Sequence, residues 1–240
     1  MEFKDKKVLI TGGANGIGKA IAEDFRKEGA EVMIFDLVKN DDFTGDLSKK
    51  EDIEAFVKKA VSRFGKIDIL VNDALPLMKG IHSCSYEEFE YAQKVGVIAP
   101  FYLAKLLLPY FTEGSVILNL SSSRSRMSEP ETESYAAAKG GISALTHSLA
   151  MSLGPKTRVI AIAPGWIETR GRTYSLPDNA QQPVGRIGTP EDVASLALFL
   201  CSPKASFIDG EEILIDGGMS HQMIYHGDDG WSFTPKKKQS

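Results

Sequence analysis

Gly12, Gly16 and Gly18, three of the four glycines within seven residues, follow a short apolar run, Val8-Leu9-Ile10, and lead into a stretch in which Ile17, Ala20, Ile21 and Phe25 recur at helical spacing. Glycines at such a junction let the chain turn tightly and bring its backbone close to a pyrophosphate. The phosphate charge then meets the free amides and positive end of the following helix. The order here is G-x-x-x-G-x-G rather than G-x-G-x-x-G, but the physical need is the same. Gly29 stops the helix, and Glu31 to Phe35 reads as a second buried strand ending at Asp36. Lys7 to Asp36 is therefore one βαβ unit of about 30 residues.

The alternation continues down the chain. Only nine residues separate Asp36 from Asp46, too few for a crossover helix with its loops, so the helix after the second strand is expected to be shortened to a loop. Ser48-Lys49-Lys50-Glu51 has the pattern of a capping box ahead of an apolar stripe from Ile53 to Phe64. Ser85-Tyr86-Glu87-Glu88 repeats it before one long helix ending near Pro109. Further strands are predicted at Ile67 to Val71, Val116 to Leu120, Val159 to Ala163 and Ile213 to Ile215, with helices over Ser134 to Leu153 and from Thr189. The expected fold is α/β: a single-domain, doubly wound parallel sheet (Rossmann-like) over residues 1–218, followed by a tail, residues 219–240.

Composition narrows the function. The 240 residues carry a net charge of −4, which argues against nucleic acid as a partner, since phosphate backbones need a clustered positive field. The one sharp basic run, Lys236-Lys237-Lys238, sits at the extreme end of the chain. Cys84 and Cys201 are the only cysteines, and His82, His147, His221 and His226 lack metal-ligand spacing, so neither a disulfide framework nor a metal centre is expected. No apolar stretch reaches membrane-spanning length and no signal-peptide core precedes the first strand, so a cytoplasmic location is expected.

Asp36 lies 18 residues after Gly18, at the tip of the second strand. A carboxylate there can accept hydrogen bonds from both ribose hydroxyls of NAD and would repel the additional phosphate of NADP, so NAD is the expected cofactor and NADP the alternative. Tyr135 and Lys139 stand four residues apart on one helix face, where an ammonium favours phenolate and lowers the phenol pKa. Ser122, thirteen residues before Tyr135 in a strand-end run of serines, offers a hydroxyl for a substrate oxygen. The Y-x-x-x-K pair alone is a common helix pattern; the joint spacing is what carries meaning.

Taken together, Thr11 to Gly18, Asp46-Leu47, Asn72, Ser122, Tyr135, Lys139, Pro164-Gly165 with Thr169, and Asp216-Gly217-Gly218 make the sequence resemble the short-chain dehydrogenase/reductase family from about Lys7 to Gly218. The resemblance implies reversible hydride transfer between a nicotinamide and an alcohol or ketone, with Tyr135 as acid–base, Lys139 depressing its pKa and binding the nicotinamide ribose, and Ser122 orienting the carbonyl. It further implies that Gly12, Asn15, Gly16, Ile17 and Gly18 hold the diphosphate and that Asp46 and Leu47 flank the adenine. Asn72 and Ala74 would pass near the adenosine ribose, and Pro164, Ile167 and Thr169 would fix the nicotinamide. Proteins of this kind are commonly tetramers, so a homo-oligomer, dimer or tetramer, is implied, with a small-molecule substrate as the other partner.

Two departures from the family pattern matter. Asn72-Asp73-Ala74-Leu75 stands where Asn-Asn-Ala-Gly is usual, so Leu75 either crowds the cofactor or shifts the backbone. Gly96 replaces an Asn thought to hold a proton-relay water. Either proton exchange is slowed or rerouted here, or Gly96 serves close helix packing. These departures keep a rival open: a catalytically impaired NAD-binding sensor or scaffold of the same fold. Glu168 to Pro183 is expected to form the substrate lid, with Trp166 either covering the nicotinamide or packing in the core. The tail carries Met223, Tyr225, Trp231 and Phe233, which either dock on a surface or fray.

Overall fold

The computed structural model describes residues 1–234, so the Lys236–Lys238 run lies outside the described residues. Each apolar run noted above becomes a strand because both of its faces find a hydrophobic cover. β1 (Lys7–Thr11), β2 (Glu31–Asp36), β3 (Phe43–Thr44), β4 (Ile67–Asn72), β5 (Phe111–Leu120), β6 (Thr157–Pro164) and β7 (Glu212–Ile215) form one sheet in the order β3-β2-β1-β4-β5-β6-β7. Every pairing is parallel. This is the doubly wound arrangement expected from the sequence, and the strand order reverses between β1 and β4.

Alternate strand residues supply two cores. On one face Val8 and Ile10 pack with Ile21 and Phe25 of α1 (Gly16–Lys27) and Val193 and Leu200 of α7 (Pro190–Cys201). On the other, Leu9 and Phe35 pack with Phe56 of α2 (Lys50–Phe64) and Leu103 and Leu107 of α4 (Ala99–Leu107). α3 (Tyr86–Gln93) and α5 (Glu133–Leu153) complete the second layer, and α6 (Leu176–Ala180) lies in the segment expected to act as lid.

Three local expectations are corrected. The stretch between Asp36 and Asp46 has no helix, as expected, but it adds a two-residue edge strand, β3, beside the end of β2. The Ser48 capping box does not form. α2 begins after Lys49 without a side-chain cap, the Ser48 amide donates to Asp46 Oδ1 at 2.8 Å, and Asp52 reaches back to the Asp46 amide at 2.8 Å. The Ser85 box does form, with Glu88 at its far end.

The long helix is broken by a π-helical turn, Lys94–Ile98, between α3 and α4. Pro100 explains it: with no N–H, and a ring that would crowd the Gly96 carbonyl four residues back, it forces the backbone to widen. The Ala99 amide accordingly donates to Lys94 O, five residues back. The same turn brings Gly96 so close to α5 that a Cβ there would stand 2.7 Å from Ala138 Cβ and 3.3 Å from Pro76 Cβ. Close packing is thus what Gly96 provides. Gly96→Asn is expected to push the turn off α5 and lower stability by about 1–3 kcal/mol. A thermal melt checks this, and an unchanged midpoint would contradict it.

Candidate active site

A cleft of about 660 Å³ opens along the carboxyl ends of the strands, where the reversal of strand order leaves a crevice. Its first wall is the glycine turn, with Gly12, Asn15, Gly16 and Ile17, followed by Asp36 at the tip of β2 and by Asp46 and Leu47 beyond β3. Ala74, after β4, lies on its floor. The far wall carries Ser122, Tyr135 and Lys139, then Pro164, Ile167 and Thr169. Residues from seven separate stretches of sequence are therefore brought to one surface.

Two residues expected to touch a cofactor do not line the cleft. Gly18 lies behind the wall, under Asp73: a Cβ at Gly18 would stand 2.6 Å from Asp73 Oδ2. Asn72 is buried and turns into the interior, where its Nδ2 donates to Asn119 Oδ1 at 2.8 Å and Asn119 Nδ2 donates to Thr146 Oγ1 at 2.9 Å. It ties β4 to β5 and α5 rather than facing a ribose. Its Oδ1 is left without a partner beside a cavity of about 10 Å³ that Gly96 and Lys139 also line.

The glycine turn is built by contact as well as by conformation. Gly12 has φ +74°, and a Cβ there would stand 2.8 Å from Ala74 Cα. The turn thus rests on the backbone that follows β4. At the start of α1 the Asn15 side chain makes no cap hydrogen bond, and no acidic residue occupies the first turn. The Gly16 and Ile17 end of the helix faces the cleft, while the Gly18 amide one residue on is taken by the Asp73 carboxylate. Asp36 accepts from the Ala14 amide at 2.9 Å and from the Val38 amide at 2.9 Å, which holds the carboxylate at the lip of the cleft. Opposite, Gly165 packs on Asp216 so tightly that a Cβ would stand 2.5 Å from Asp216 Cβ.

On the far wall, Lys139 is buried and donates to the Leu120 carbonyl at 2.6 Å, with its Nζ 5.5 Å from the Tyr135 ring centroid. Burial lowers the Lys139 pKa below the usual lysine range, while the Asp73 carboxylate works against that fall. The expectation that Tyr135 is depressed is not met in this structure. Burial raises the phenol above its ordinary value, Asp73 raises it further, and the Ser122 hydroxyl and the Arg124 guanidinium pull it down without reversing the rise.

Asp73 is a cleft residue that the motif spacing alone does not single out. It lines the cleft between Gly12 and the Tyr135–Lys139 wall, and its signal was an acid where the family motif has an amide. Tyr91 of α3 also lines the cleft and lies against Asp46. Leu75 stands at the mouth, 74% exposed, and does not fill the cleft. Trp166 does not line it, and packs edge-on against Tyr174 of the lid segment at 5.0 Å. Cys201 is buried, and its thiol is pushed up to about 12 by desolvation, as an inert filler would be. Among the described residues no group of three or more His, Cys, Asp and Glu could hold a metal, and no helix is long and apolar enough to cross a membrane. The tail side chains Met223, Tyr225 and Phe233 remain exposed.

Residues 12–220 match the family model described as enoyl-(acyl carrier protein) reductase. An uncharacterized oxidoreductase of Thermotoga maritima is 37% identical over 93% of this chain and 99% of its own length. The apo structure of a SCOR enzyme from Clostridium thermocellum superposes with a TM-score of 0.89 at 42% identity, covering 96% of this chain and 99% of that one. A 3-ketoacyl-(acyl-carrier-protein) reductase from Brucella melitensis, complexed with NADH, superposes with a TM-score of 0.83 at 36% identity, covering 91% and 99%.

Proposed function

The chain belongs to the short-chain dehydrogenase/reductase family, and from that premise we propose that it is an NAD-dependent oxidoreductase that interconverts a secondary alcohol and its ketone. One observation carries the reading: Ser122, Tyr135 and Lys139 converge on one wall of a cleft whose other wall is the glycine turn and Asp36. The NADH complex of the related ketoacyl reductase supports a nicotinamide dinucleotide in this cleft.

The residues present fit such a cofactor. The Gly16 and Ile17 end of α1, where Asn15 makes no side-chain cap, offers amides to a diphosphate, and Gly16 holds the turn at φ +55°, a conformation that side-chain-bearing residues rarely adopt. Asp36 has lone pairs left for ribose hydroxyls after accepting from Ala14 and Val38. When bound, the nicotinamide supplies or accepts the hydride. Tyr135 gives its phenolic proton to the carbonyl oxygen in reduction and removes the hydroxyl proton in oxidation. Ser122 donates a hydrogen bond to the same oxygen as negative charge grows on it. Lys139, anchored on the Leu120 carbonyl, holds positive charge beside the phenol. A phenol kept protonated by burial is ready as a donor, so ketone reduction runs near neutral pH while alcohol oxidation rises as the solution becomes alkaline.

A panel of alcohols and ketones with NAD and NADP, read by nicotinamide absorbance, tests the proposal; no turnover of any member, with intact dinucleotide binding, would instead favour the impaired sensor or scaffold. The cofactor preference has its own test. Asp36→Ala is expected to lose about 1–3 kcal/mol of NAD affinity, the value of hydrogen bonds to a charged group, and to narrow the gap to NADP. A native preference for NADP would contradict the role given to Asp36.

A further inference from the structure

We propose that Asp73 is a proton-linked control on dinucleotide binding, its carboxylate opposing the cofactor diphosphate at the glycine turn so that binding takes up a proton there. The inference rests on the dinucleotide reading of the cleft and goes beyond it, since it assigns a role to an acid that this reading does not use.

The geometry leaves the carboxyl little freedom. Asp73 directly follows β4, and its main-chain carbonyl carbon would be 3.0 Å from a Cβ at Gly12. Its side chain turns toward α1, where Oδ2 lies against Gly18 and receives the Gly18 amide. Asp73 lines the same cleft as Gly16 and Ile17, whose amides begin that helix. An anionic diphosphate at the helix start and an anionic carboxylate on the third residue of the same turn are near neighbours of like sign.

The groups that face Asp73 from the surrounding elements do not all favour its charge. Lys139 on α5 and the Gly18 amide on α1 support the carboxylate, Asp36 at the end of β2 opposes it, and burial opposes it most, so that its pKa stands well above the usual carboxylate range. Tyr135, also on α5, feels Asp73 as an anion that holds its own proton on. The sign of the linkage follows. A second negative charge arriving at the turn penalises ionised Asp73 and leaves the protonated form untouched. The protonated protein therefore binds the dinucleotide more tightly, and affinity falls as pH rises above neutrality.

Calorimetric titration of the full-length protein with NAD, in two buffers of different ionisation enthalpy, reads the proton directly. The expected result is uptake of a large fraction of a proton per dinucleotide slightly above neutral pH, with affinity falling by up to about tenfold per pH unit there. Asp73→Asn keeps the shape and the bond from Gly18, and is expected to bind NAD with that uptake and slope removed. Lys139 stays in place in this variant, so proton uptake at the lysine is separated from uptake at Asp73. In the free protein, infrared spectroscopy is expected to show a protonated-carboxyl band near neutral pH that Asp73→Asn lacks. Equal uptake and equal pH dependence in the two proteins would overturn the proposal while leaving the dinucleotide site intact. Failure of both proteins to bind NAD or NADP at any pH would overturn the dinucleotide reading itself, and the Asp73 proposal with it.

Discussion

Tyr135→Phe lowers turnover by about a hundred- to ten-thousand-fold, the usual share of a positioned acid–base, with the affinity for NAD little changed. The phenol ring lies on the cleft wall beside Ser122 and Lys139, and the substitution removes one oxygen without disturbing α5. What is lost is the proton delivered to the substrate oxygen as the hydride moves. A parallel variant, Ser122→Ala, removes only a hydrogen bond to that oxygen and is expected to cost less. The measurement is kcat with the best substrate from the alcohol and ketone panel, alongside NAD binding by calorimetry. Turnover in Tyr135→Phe within a few-fold of the unmodified protein would remove Tyr135 from the mechanism.

Gly12→Ala has the largest expected effect on the folded state. A left-handed φ of +74° disfavours any residue with a Cβ, and that Cβ would stand 2.8 Å from both the backbone nitrogen and Cα of Ala74. The obstacle is main chain, so no side chain can rotate away. Strain and overpacking together are expected to cost about 2–4 kcal/mol, a fall in melting temperature of roughly 5–15 °C for a chain of this size. The displaced turn would also move the start of α1 out of the cleft wall, so NAD binding should fall with stability. A melting temperature within a degree of the unmodified protein would show that the turn tolerates a side chain, and that its contact with Ala74 is not required.

How far the structure could be read in advance depended on how local each signal was. Ser85 with Glu88 forms the box that its pattern predicts, yet the same pattern at Ser48 fails, because Asp46 takes the Ser48 amide and Asp52 bonds back to Asp46. Both arrangements are open to such a sequence, and the nearby carboxylates of Asp46 and Asp52 compete for the amides that a Ser48 box would need. The unbroken helix expected up to Pro109 could have been corrected from Pro100 alone, since a proline inside a helix must be accommodated somewhere. That the accommodation takes the form of a π turn pressing Gly96 on Ala138 was not legible, as it depends on where α5 lies. Asp73 was in plain view as a departure from an amide, but its meaning required the distance to Gly18.

The sequence by itself determined the alternation of strands and helices, the shortened connection after β2, and the order in which the glycine turn, Asp36, Ser122, Tyr135 and Lys139 come along the chain. Periodicity, turn chemistry and spacing act over windows of a few residues to a few tens, and these are printed directly in the residue order. Only the tertiary structure decided that Asn72 turns inward to Asn119, that Gly18 supports Asp73 rather than lining the cleft, and that Tyr135 is raised by burial instead of lowered by its lysine. Those outcomes come from contacts between segments 47 residues apart for Asn72 with Asn119 and 55 apart for Gly18 with Asp73, and from desolvation in the case of Tyr135. Solvent exclusion is a property of the packed whole, and no window of sequence contains it.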